Sequence, residues 1–252
     1  MEKLLKHLRF IFESVARLRC TYFLLLFLFP ALLTGCIASL PYPEGTVLPQ
    51  PTPIPQVRSP KVGQEWVYQV RNVFNQEIVD TITERVVFVG DQVRIARSGV
   101  KAGVLPDEVQ SPWGQILQDP HWNPPQKFDQ ALPLWPEQLN ARWSGFYRTR
   151  YQVLDSPGAT YYWGLNVNAI EWERVAVPAG SFVTLKYRNT APFFDSYDVF
   201  RTANYREEDV WIAPEVGRWV IRRGYGRYLT AGMFWSNAYW EDYLEWELVS
   251  WK

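Results

Sequence analysis

The sequence predicts an all-β protein, mainly antiparallel, built on a single strongly curved sheet that closes as a barrel or half-barrel. Three observations carry this prediction. Short runs of β-branched and aromatic residues alternate with polar ones and are punctuated by Gly, Pro and Asp turns. Neither a sustained helical period nor a fixed-length repeat is present. A single long sheet hides its apolar face most simply by curling on itself.

Taken in order, the chain opens with a basic lead holding Lys3, Lys6, Arg9, Arg17 and Arg19, then an apolar run from Tyr22 to Leu33. This run is interrupted by Pro30 and is shorter than the roughly 20 residues needed to span a bilayer. Residues 1–35 therefore read as a secretory signal peptide rather than an anchor helix. Leu33-Thr34-Gly35-Cys36 matches a bacterial lipobox. The Cys36 thiol is the nucleophile that a lipid-transferring enzyme requires, and the small residues Thr34 and Gly35 allow a peptidase to cut beside it. The chain has two cysteines, and Cys20 leaves with the signal. With Cys36 lipidated, no internal disulfide is available, so stability must come from the core.

Residues 36–62 read as a lipidated cysteine followed by a tether. Pro41, Pro43, Pro49, Pro51, Pro53, Pro55 and Pro60 favour extended polyproline conformation and a semi-rigid spacer. Residues 63–252 form one β domain. Strands are predicted over Glu65–Arg71 and Ile78–Val89, with Gly90-Asp91 turning into a return strand at Gln92–Arg97. From Leu105 to Pro136 prolines interrupt the pattern, and this stretch reads as a long Pro/Trp-rich loop. Phe146–Val153 alternates Tyr147, Thr149, Tyr151 and Val153 against Arg148, Arg150 and Gln152, and another strand covers Ala169–Val177. Val177-Pro178-Ala179-Gly180 fits a tight turn, and Pro214 with Gly217 fits a bulged hairpin. The last strand sets Leu244, Trp246 and Leu248 against Glu245 and Glu247.

The V-P-A-G-x-F step at Val177–Phe182, the W-x-A-P-x-V-G turn at Trp211–Gly217 and the terminal strand resemble the C-terminal half of an uncharacterised group of bacterial envelope lipoproteins. The resemblance implies a fold and an address and carries no catalytic residues. By further likeness to lipoproteins, Ile37 after the lipidated cysteine implies sorting to an outer membrane, with the domain facing the periplasm.

Chemistry is sparse. Beyond the signal, 21 of the 26 Lys+Arg and 24 of the 26 Asp+Glu remain, a balance with no footprint for nucleic acid. His121 is the one histidine left and reads as a surface loop residue, which gives no multi-histidine metal site and no triad. No cofactor is expected. Arg218, Arg222, Arg223 and Arg227 read as the solvated face of a strand. Glu171 with Glu173, Glu245 with Glu247, and Glu207-Glu208-Asp209 are the acidic pairs from which a carbohydrate-active hydrolase could be built. Same-face glutamates on a strand more simply form the wet side of a sheet. The 13 tryptophans serve first as core and rim. Trp113, Trp122, Trp135, Trp235 and Trp240 form a candidate ligand cleft. The leading expectation is a non-enzymatic, membrane-anchored envelope protein, served by the lipoprotein processing and sorting machinery. It would bind or scaffold a lipid, a glycan or another envelope protein.

Overall fold

The computed structural model describes residues 45–195, 200–230 and 237–252. The signal peptide, the lipobox with Cys36, and Trp235 lie outside the described residues. Thirteen strands are present among the described residues. They are β1 (Thr46–Leu48), β2 (Glu65–Asn72), β3 (Ile78–Val89), β4 (Val93–Gly99), β5 (Gly103–Gln110), β6 (Gln115–Asp119) and β7 (Gln126–Pro133). They continue as β8 (Ser144–Val153), β9 (Ser156–Val177), β10 (Gly180–Phe193), β11 (Arg201–Ala213), β12 (Arg218–Thr230) and β13 (Asn237–Trp251).

From β2 to β13 every strand pairs antiparallel with the next. The circle closes where β13 returns to β2, with Leu244 opposite Asn72 and Trp251 opposite Trp66. The result is a closed up-and-down barrel of β2 to β13, in which each strand is paired on both sides. β9 is long enough to serve three partners. Its first half pairs β8, it pairs β10 along most of its length, and Trp172–Arg174 take β1 beyond the reach of β8. Part of the segment expected as a free spacer is therefore bonded to the barrel wall. Arg58 N–H also donates to Pro214 O (2.9 Å).

The predicted strands are present. On β2, Trp66, Tyr68 and Val70 alternate inward, and their neighbours on β3 and β13 follow the same rule with Ile82, Val86, Trp246 and Leu248. Gly217 has φ +76° and donates to Ala213 O (3.1 Å), as the bulged turn requires. Residues 105–136 differ from the expectation of one long loop, because β6, β7 and most of β5 lie there. Pro106 sits at a register shift between β4 and β5, and Pro133 ends β7. Both are positions where a missing N–H breaks no ladder bond. The irregular part shrinks to residues 111–114, 120–125 and 134–136.

Candidate functional site

The barrel encloses a charged layer. Glu84 (β3), Arg97 (β4), Glu108 (β5), Glu208 (β11), Arg218 and Arg222 (β12) are buried side chains from five strands of the wall. Arg218 bridges the interior, donating Nε to Glu84 Oε2 (2.8 Å) and its two terminal nitrogens to Glu108 (3.1 and 2.6 Å). Its guanidinium also stacks on Trp219, 3.8 Å from the ring centroid. Arg97 Nε donates to Glu84 Oε1 (3.0 Å). Arg222 Nε donates to Glu208 Oε1 (2.9 Å), and Asp119 Oδ2 lies 3.7 Å from Arg222.

Into this layer dips the β6–β7 connection, Pro120-His121-Trp122-Asn123-Pro124-Pro125. Prolines keep it out of the sheet, and Arg97 Nη1 holds it by donating to Pro120 O (3.1 Å). His121 Nδ1 lies 2.8 Å from Asp119 Oδ1, and Nε2 lies 2.8 Å from Glu84 Oε1. Each nitrogen of the ring thus faces a carboxylate oxygen. Three arginines, Arg97, Arg218 and Arg222, and His121 face four carboxylates, Glu84, Glu108, Asp119 and Glu208. The ring stands edge-on to Trp219 and Trp246 (centroids 5.2 and 5.4 Å). Trp122 lies beside it, with the Arg206 guanidinium 4.4 Å from its centroid. Gly224 makes room for that indole, since a Cβ there would come within 3.0 Å of it.

The proton affinities follow from this packing. Burial alone would raise the Glu84 carboxyl, but Arg218, His121 and Arg97 outweigh it and hold the group well below the usual range. Asp119 is likewise lowered, with Arg222 and His121 outweighing burial. Burial would lower Arg218 and Arg222, yet their carboxylate partners push both upward. Glu84, Asp119, Arg218 and Arg222 are thus held in their charged forms.

This layer overturns two sequence expectations. His121 is not a surface residue; its side chain is 1% exposed. Arg218, Arg222 and Arg223 are buried, and of the four arginines only Arg227 is exposed. Strand alternation separates polar from apolar faces, but it cannot distinguish a polar face turned to water from one turned into a lumen.

The acidic groups do not assemble into a hydrolase pair. Glu208 points into the lumen toward Arg222, whereas Asp209 takes Arg188 in a two-pronged bond (2.7 and 2.9 Å) and Glu207 lies 3.5 Å from the same arginine. Glu245 is bonded by Arg223 Nε (2.7 Å), and Glu173 accepts from Trp211 Nε1 (2.8 Å). Glu84, Glu108 and His121 offer ligand atoms within 4.8 Å of one another, close enough for a metal ion. Both of these carboxylates are already engaged by Arg218, which a cation would have to displace.

Two spaces flank Trp122. The larger, about 250 Å³, is a cleft at the barrel end that carries the β6–β7 connection. Leu105, Pro106, Pro125 and Leu244 wall it, and His121, Trp122 and Trp246 line it with them. The smaller, about 50 Å³, lies behind Trp122 between Phe128, Leu132, Leu165 and Val210. Trp122, Glu208 and Arg222 border both. The four described tryptophans of the candidate cleft do not come together. Trp113 and Trp135 pack on each other (5.5 Å) elsewhere, where Trp113 Nε1 donates to Arg58 O. Trp240 is exposed against Tyr225 (4.8 Å). Of these four, only Trp122 borders the space.

No family model and no curated protein matches this chain. Two solved structures resemble it at a TM-score of 0.50, each over 83% of this chain and 100% of its own. One is a candidate lipoprotein from Parabacteroides distasonis at 11% identity. The other is a candidate exported protein with a YmcC-like fold from Bacteroides fragilis at 12% identity. At these identities the likeness establishes the fold and transfers no site residue.

Proposed function

We propose that this chain is a lipid-anchored envelope protein whose barrel binds a ligand without transforming it. The observation that carries the binding reading is the cleft over Trp122, walled mainly by apolar side chains. The charged groups beside it are engaged with one another, which leaves no uncommitted acid–base pair for hydrolysis. The Leu33-Thr34-Gly35-Cys36 sequence supports the anchor, and the descriptions of the two structural neighbours as a candidate lipoprotein and a candidate exported protein agree with it. Acylation of Cys36 by the lipoprotein machinery, followed by sorting to the outer membrane with the barrel on the periplasmic side, completes the reading.

Native mass spectrometry of protein purified from membranes tests it. The expected result is a mature chain beginning at acylated Cys36 and carrying a non-covalent adduct. Cys36→Ser should leave a full-length precursor. Normal-sized mature protein from that variant, still on the membrane, removes the anchor. A wild-type protein free of adducts in every preparation removes the ligand.

A further inference from the structure

Resting on that reading, we propose that the ligand is a single uncharged acyl chain and that Trp122 sets the length of chain accepted. Charge decides the class first. Arg222, Glu208 and His121 are the charged groups on the cleft wall, and each has its partners inside the protein. An anionic or cationic ligand would have to break one of these buried pairs. A sugar fares no better, because its hydroxyls would be stripped of water against Leu105, Pro106, Pro125 and Leu244. An alkyl chain loses nothing there. At about 250 Å³ the cleft is smaller than most sites for drug-sized ligands, and one chain fills it.

The surroundings fit delivery from a lipid source. Hairpins at this same barrel end carry exposed apolar side chains: Phe74 between β2 and β3, Val100 after β4 and Val104 at the start of β5 (81% and 93% exposed), and Phe194 after β10. Such a rim suits transient contact with acyl chains.

Trp122 is the floor. Behind it lies the second cavity, and Trp122, Glu208 and Arg222 stand between the two. Removing the ring joins the two and lets the chain run deeper, past Phe128 and Leu165. Each further methylene buried raises affinity about fourfold.

Monoacylglycerols of graded chain length, competed against one another for the mature protein under native mass spectrometry, provide the test. The wild type should retain shorter chains, and Trp122→Ala should move the preference to longer ones by about two methylenes or more, a change of order tenfold in relative affinity. If Trp122→Ala does not fold, Trp122→Leu opens the partition with a smaller loss of packing and should shift the preference the same way. An unchanged preference in a folded variant overturns the role of Trp122. Retention of a phospholipid anion, a fatty-acid anion or an oligosaccharide in place of monoacylglycerol overturns the ligand class while leaving the binding reading intact. Absence of any retained ligand defeats both.

Discussion

Glu84 shows how much a single residue carries in this barrel. It is fully buried and accepts hydrogen bonds from Arg97, His121 and Arg218 at 3.0, 2.8 and 2.8 Å. A buried carboxylate with three donors is tolerable only as part of such a set, because removing any one member strands the charge of another. Glu84→Gln keeps the shape but leaves Arg97, His121, Arg218 and Arg222 facing three carboxylates plus an amide. Arg218→Met removes the bridge and leaves Glu84 and Glu108 facing each other. Breaking a buried pair costs about 3–5 kcal/mol. Arg218→Met should therefore lower the unfolding free energy in urea by that order, and Glu84→Gln by less. A loss under about 1 kcal/mol for Arg218→Met would show that water already reaches the layer.

Gly217 matters for a different reason. Its φ of +76° lies in the left-handed region, and a Cβ there would sit 2.8 Å from Arg58 O. Gly217→Val combines backbone strain with a clash against the segment that crosses the turn, at a cost of about 1–3 kcal/mol. A substantial fall in melting temperature is the expected outcome, and an unchanged one would remove the case for a bulged turn at this position.

At the scale of elements, strands with one wet and one dry face were legible in the sequence, and elements with two dry faces were not. The alternation of β8 (Tyr147, Thr149, Tyr151 and Val153 against Arg148, Arg150 and Gln152) gives its burial directly, since Thr149, Tyr151 and Val153 are buried. β12 defeats the same rule. Arg218 to Gly224 is buried on both faces, so Arg218 and Arg222 look like solvated residues while lining a lumen. The β6–β7 connection was missed for a related reason. His121 and Trp122 sit among prolines, which correctly mark irregular backbone, but nothing local says that a six-residue loop turns inward. The signal lies far away in sequence: Glu84, Glu108 and Arg218 must share a volume before His121 has a reason to enter it. Only ring closure through β13 and β2 brings them together. Gly224 offered a hint, being a strand glycine where another group approaches closely.

For the whole barrel, the charged layer ties strands far apart around the ring, and this makes global stability depend on pH. Glu84 and Asp119 both have folded-state affinities for protons below their ordinary values of 4.5 and 3.8. A lowered carboxylate stabilises the fold fully above its unfolded value, and that contribution is lost as pH falls toward the folded value. From these two groups stability should be level between neutral pH and about pH 5, then fall steeply below about pH 4. Glu247 opposes the trend weakly, since burial and Glu245 raise it from 4.5. The acid loss belongs to the layer rather than to surface charge, because each lumen carboxylate that takes up a proton leaves an arginine or His121 buried without its partner. Thermal melts of the mature protein from pH 7 to pH 2 should therefore show a late, cooperative drop. In Glu84→Gln the curve should start lower at neutral pH and fall less across the acid range. A parallel curve for that variant would mean that Glu84 carries none of the pH dependence, and a drop beginning near pH 6 would place the titrating groups outside these carboxylates.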